Sequence, residues 1–167
     1  GIGTQIAQFV RRKRAEDALA QSEELHRAIS ETAADGIVVI DEKSTILTVN
    51  NAMERIFGYA REDLEGASLK KLMPARMYEA YEQGMRQLMT TGQKGIPWTG
   101  IELLGLHKEG HEIPLEISFG MARRGASYLF TGLLRDITRR KESERQLRET
   151  EERLALLVRR AEEYAII

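Results

Sequence analysis

Few side chains of this sequence are equipped for covalent or acid–base chemistry. There are three histidines, His26, His107 and His111. A phosphoacceptor histidine is commonly followed by Glu or Asp, whereas His26 is followed by Arg27 and reads as structural. His111-Glu112 has that dipeptide but sits in a strand beside a turn. His107 and His111 flank that turn and read as solvated. A metal would want a third ligand, none is evident nearby, and no metal site is expected. There is no cysteine, which removes disulfides, thiolate metal sites and a Cys nucleophile. No phosphate-cradling Gly box, His-Glu-x-x-His or recognisable Ser, His and Asp set is present, so no catalytic residue is expected. What remains is apolar and aromatic. Met53, Phe57, Tyr78, Tyr81 and Met85 read first as core. Together with Ile101, Leu115, Ile117 and Phe119, some of them are candidates to line a ligand cavity. A Tyr hydroxyl facing such a cavity wants a polar partner, which makes Tyr81 the leading contact residue.

Composition bounds the rest. The chain has 167 residues, 42% hydrophobic and 31% charged, with net charge −1. That suits one domain with charged helical extensions. It points to neither a nucleic-acid nor a membrane partner. The basic run Arg11-Arg12-Lys13-Arg14 alternates with Glu16, Asp17 and Glu23 and reads as a solvated helix face. No apolar run approaches the roughly 18 residues of a membrane span. Gly1-Ile2-Gly3 is neither an initiating Met nor a charged start before an apolar stretch. The chain is therefore expected to be a segment of a longer, cytoplasmic protein.

The elements that must position these residues follow from periodicity. Residues 4–33 read as helix, with Leu19, Leu25 and Ile29 among its unevenly spaced apolar positions. Asp35-Gly36 signals a turn. Ile37–Ile40 and Thr45–Val49 read as a strand hairpin around the polar Asp41–Ser44. Asn50 or Asn51 caps a helix that ends at Gly58, and Arg61–Leu64 forms another helical turn. A helix over about 75–90 follows Pro74 and ends at Gly92. Three strands come next: Trp98–Lys108, His111–Ala122 and Ser127–Ile137. In the second, Ile113, Leu115, Ile117 and Phe119 share one face. A last helix over Thr138–Val158 carries Leu147 and Leu154 one heptad apart. The order predicts an α+β domain with a five-stranded antiparallel sheet and small helices on one face, flanked by helices at both ends.

Residues 150–167 also echo residues 22–39: Glu151-Glu152 match Glu23-Glu24, and Ile166-Ile167 match Val38-Val39. A second copy of the same domain is expected to begin in residues 161–167.

Four ordered stretches carry a family resemblance: Ala34-Asp35-Gly36-Ile37-Val38-Val39-Ile40-Asp41, Asn50 through Tyr59, Lys108 through Ser118, and Phe130 through Thr138. The chain resembles the PAS sensor family over about residues 23–140. The resemblance implies a pocket between the concave sheet face and the small helices. It also makes Asp136-Ile137-Thr138 the junction that relays a signal from the last strand to the outgoing helix; helix capping is the simpler role for the same residues. Gly3–Glu16 looks like the end of a GAF domain. The implied division is a linker helix over 1–22, a PAS domain over 23–138, a signalling helix over 139–160 and the start of a second PAS domain.

Within the family the chain is most similar to oxygen-sensing haem PAS domains of histidine kinases. Tyr81 stands where their haem-ligating His falls and Ile101 where their ligand-contacting Arg falls, which argues against haem. Cysteine-adduct flavin chemistry is excluded by the lack of Cys. The cofactor is left unassigned. The resulting expectation is a non-enzymatic sensory input and relay module of a multidomain bacterial protein, a histidine kinase by resemblance. It is expected to act as a homodimer through Leu19, Leu25, Ile29, Leu147 and Leu154, covalently linked to neighbouring GAF, PAS and output domains. The alternatives are a ligand-free dimerisation and spacer module, or the input module of a cyclic-di-GMP enzyme.

Overall fold

The computed structural model describes residues 1–166. Five strands form one antiparallel sheet in the order β2-β1-β5-β4-β3. They are β1 (Gly36–Ile40), β2 (Ile46–Val49), β3 (Ile101–Leu106), β4 (Glu112–Arg124) and β5 (Ser127–Asp136). Three helices, α2 (Asn51–Phe57), α3 (Arg61–Leu64) and α4 (Tyr78–Thr91), lie between β2 and β3, joined by 3₁₀ turns at Leu69–Leu72 and Ala75–Met77. Long helices α1 (Ile2–Thr32) and α5 (Thr138–Ala165) flank the domain.

The core sits between the sheet and the small helices. Alternate residues of β1 and β4 (Val38 and Ile40; Ile113, Leu115 and Ile117) meet Met53, Phe57, Leu64 and Leu72. A period of two on the strands and the short helical faces opposite makes this the one way to bury both sets.

Local chemistry sets the boundaries. Asn50 caps α2 by accepting from the Met53 N–H, and Gly58 ends it in the left-handed region at φ 77°. The helix expected over 75–90 is split: residues 75–77 are a 3₁₀ turn before α4 begins at Tyr78. β3 begins at Ile101, not Trp98, because Gly100 has φ 66° and breaks the extended run. The Trp98 carbonyl still accepts from Phe119 N–H at 2.7 Å. Helix α5 outruns the expected end at 158 and continues to Ala165. The strand start expected at Ile166-Ile167 reaches Ile167, which lies outside the described residues.

Asn50 also holds the incoming helix. It is 1% exposed. Its Oδ1 accepts from Ile37 N–H at 2.9 Å, and its Nδ2 donates to the carbonyls of Ser30 and Asp35 at 2.7 and 3.0 Å. One buried amide thus joins the last turn of α1, the start of β1 and the start of α2.

Candidate functional site

The outgoing helix leaves the sheet through a short polar junction. Ile137 is buried, and its N–H donates to the Pro114 carbonyl on β4 at 3.1 Å. Asp136 Oδ1 accepts from the Thr138 N–H at 2.9 Å and from its hydroxyl at 2.5 Å. An acceptor just before the first turn satisfies one of the amides that a helix start leaves without a partner. Asp136, Ile137 and Thr138 therefore fasten α5 to β4 and β5 together. The observed role of Asp136 is to accept from the first amide of α5, with Thr138 as its donor; relay is a proposal taken up below.

A second contact, which sequence reasoning missed, reinforces the first. Glu102 on β3 stands directly opposite Glu116 on β4, and Glu116 opposite Arg135 on β5. Two carboxylates facing each other across a strand pair are unfavourable unless a cation intervenes. The first turn of α5 supplies two. Arg140 reaches Glu116 at 3.0 Å and Glu102 at 2.9 Å, and Lys141 reaches Glu102 at 2.5 Å. The hydrogen bond from Lys141 holds the Glu102 carboxyl below the usual carboxylate range. The bond to Glu116 raises the Arg140 guanidinium further. A legible signal did exist: Arg139-Arg140-Lys141 at a helix start opposes the helix dipole, so acidic partners had to face it.

Arg135 completes the row. It grips Asp35, just after α1, with two hydrogen bonds at 3.1 and 2.8 Å. Both flanking helices are thus tied to the same sheet surface.

The cavity residues are placed differently from one another. Met53, Phe57, Leu115 and Ile117 are core residues. Ile101 and Phe119 are half-buried and pack against them. Several of these side chains lie close against bare backbone. A side chain at Gly36 would meet Met53 Sδ at 2.6 Å, and one at Gly105 would meet Leu115 Cδ1 at 2.7 Å and Phe57 Cε1 at 2.8 Å. Tyr78 is half-buried, with Lys70 over its ring at 5.5 Å. Tyr81 is half-buried, and its hydroxyl donates to Ser44 Oγ at 2.6 Å. Burial raises its phenol pKa. The partner expected for this hydroxyl is thus a residue of the β1–β2 turn. These side chains do not fit a haem: the position matching the axial ligand is engaged with Ser44, and the sheet side is packed.

Leu19, Leu25, Ile29, Leu147 and Leu154 are all more than half exposed. Neither α1 nor α5 buries a residue. Among the described residues, no helix is long and apolar enough to cross a membrane.

The PAS fold family matches residues 24–137, from within the C-terminal third of α1 to the junction. The chain belongs to the PAS family. Among its relatives are sensor protein FixL of Bradyrhizobium diazoefficiens, 29% identical over 142 residues, and cell-division control histidine kinase PdhS of Brucella anthropi, 32% identical over 130 residues. The matches cover 85% and 78% of this chain but only 28% and 12% of those proteins. The PAS domain described here is therefore homologous to segments of sensor histidine kinases and spans a minor part of their length. Solved PAS structures share the fold. That of a Colwellia psychrerythraea protein has TM-score 0.59 at 25% identity, covering 70% of this chain and 97% of that one. That of an HTR-like protein from Haloarcula marismortui has TM-score 0.58 at 24% identity, covering 75% and 99%.

Proposed function

We propose that this PAS domain is the input and relay module of a multidomain cytoplasmic sensor histidine kinase, non-enzymatic by itself and working as a homodimer. One observation carries the reading. The outgoing helix is rooted in the sheet by Asp136, Thr138 and the Glu102–Glu116–Arg140–Lys141 cluster, so a shift of β3 against β4 must move the root of α5. Polar anchors of this kind have two arrangements, made or broken, which is what a switch element needs. The exposed apolar positions of both flanking helices supply the dimer seam, because such a seam is buried only against a partner. Flanking GAF, PAS and output domains belong to the same proposal.

A second reading is favoured by the packed core. With Met53, Phe57 and Leu115 at or below 1% exposure, the domain is also suited to relay and spacing with no ligand between sheet and helices.

The test is a graft of residues 1–160 in place of the PAS segment of a PAS-containing histidine kinase, joined in helical register. Asp136→Ala and Arg140→Ala are each expected to change autophosphorylation by about fivefold or more, the usual span of coupling between sites. Equal activity of graft and variants overturns the relay. Native against denatured mass decides between the readings: mass lost on denaturation supports a ligand-binding sensor, and a clean dimer mass supports the ligand-free relay.

A further inference from the structure

Three metal-ligating side chains converge on the β3–β4 hairpin, away from the junction's ion pairs. Ligand atoms of His107, Glu109 and His111 all lie within 4.8 Å of one another, the only such group of three among the described residues. The two imidazoles stack with centroids 4.3 Å apart and planes 19° from parallel. The geometry points to a divalent-metal site on this hairpin, formed by His107, Glu109 and His111 and suited to zinc.

Two imidazoles and a carboxylate, with a further position open to water, are a recurring zinc donor set. Tetrahedral donors at zinc bond lengths of about 2.0–2.2 Å stand about 3.3 Å apart. Glu109 and His111 are both exposed at the turn, and closing that difference is left to rotation of their side chains, with His111 leaving its stack on His107. The frame is already fixed. His107 N–H donates to the His111 carbonyl and Gly110 N–H to the His107 carbonyl, both at 2.9 Å, with Gly110 at φ 93°. Lys108 N–H donates to the Phe57 carbonyl at 2.9 Å and pins the hairpin to the end of α2.

His107 is the preset ligand. Its ring rests against Gly58, where a side chain would lie 2.6 Å from Cε1 and Nε2. Its Nδ1 accepts from the Glu109 N–H at 3.1 Å, so this nitrogen carries the lone pair that a metal takes. On binding, the metal replaces that hydrogen bond and the exposed amide turns to water. Glu112 pairs with Arg76 and stays outside the set. The site stands on the hairpin alone and does not depend on the relay. His107 and His111 also line one cleft of about 600 Å³ together with Asp136 and Thr138.

The test is calorimetric titration of zinc into chelator-treated protein, with His111→Ala, Glu109→Gln and His26→Ala alongside. Both hairpin substitutions fall on the exposed turn and leave the core untouched. The expected result is one zinc per chain, weakened about tenfold or more by each hairpin variant and unchanged by His26→Ala. Absence of saturable one-to-one binding, or wild-type affinity in both hairpin variants, overturns the site.

Discussion

Arg135 and Asp35 stand 100 residues apart in the chain and meet through two hydrogen bonds, the shorter at 2.8 Å. One residue precedes the outgoing helix and the other follows the incoming one. Arg135→Ala is expected to raise amide exchange in the last turn of α1, residues 29–34, with the exchange of β4 unchanged. Hydrogen exchange followed by mass spectrometry checks it; uniform exchange in both regions would show that the pair couples nothing.

Asn50 is the most committed polar side chain of the domain. Asn50→Ala removes two acceptor contacts and leaves the Ser30 and Asp35 carbonyls without their donor. A loss of about 2–4 kcal/mol is expected, from the cost of unsatisfied buried groups. Urea denaturation should show a lower midpoint at unchanged slope.

Gly105→Ala probes how tightly the core is filled. The added methyl would press on Leu115 and Phe57. Overpacking of this kind costs about 1–3 kcal/mol. A neutral or stabilising outcome in thermal denaturation would reveal open space between β3 and α2, and would favour a ligand cavity there.

The α5 root should release in acid. Lys141 holds the Glu102 carboxyl below its ordinary value, about 4.3 in an unfolded chain. A depressed folded-state pKa means that the contribution is complete above that ordinary value and is lost as pH falls through the lower folded one. Protection of the amides of residues 141–144 is expected to be flat from pH 7 to about 5 and to fall below about 4. Lys141→Met should flatten that fall.

Leu147 and Leu154 are exposed one heptad apart on α5, and the proposed dimer packs them against a second copy. Leu154→Asp is expected to shift sedimentation equilibrium toward monomer while the circular dichroism of the domain persists. A wild-type chain that stays monomeric at high concentration contradicts the dimer.

Much of the fold was legible because its signals are local. The alternation at Ile113, Leu115 and Ile117, the left-handed stops at Gly58 and Gly92, and the cap at Asn50 are each decided within a few residues. The site was less legible because it is made of pairs distant in sequence. Nothing local marks Glu102 and Glu116 as neighbours; the strand register puts them side by side, and Arg140 becomes meaningful only opposite them. The cavity expectation ran into the same limit. Apolar residues on facing elements say that they meet, but whether they leave a gap depends on backbone positions such as Gly36 and Gly105. At the β3–β4 turn, Glu109 lay in plain view between two histidines, yet its convergence with them depends on the hairpin's shape.

The register that pairs Gly36 with Leu134 has a mechanical corollary. The first residue of β1 lies beside the end of β5, so the two flanking helices attach at the same end of neighbouring antiparallel strands. Tension between them loads the β1–β5 hydrogen bonds one after another, as in opening a zip, and never shears the whole ladder at once. A domain held this way yields at its seam under small forces.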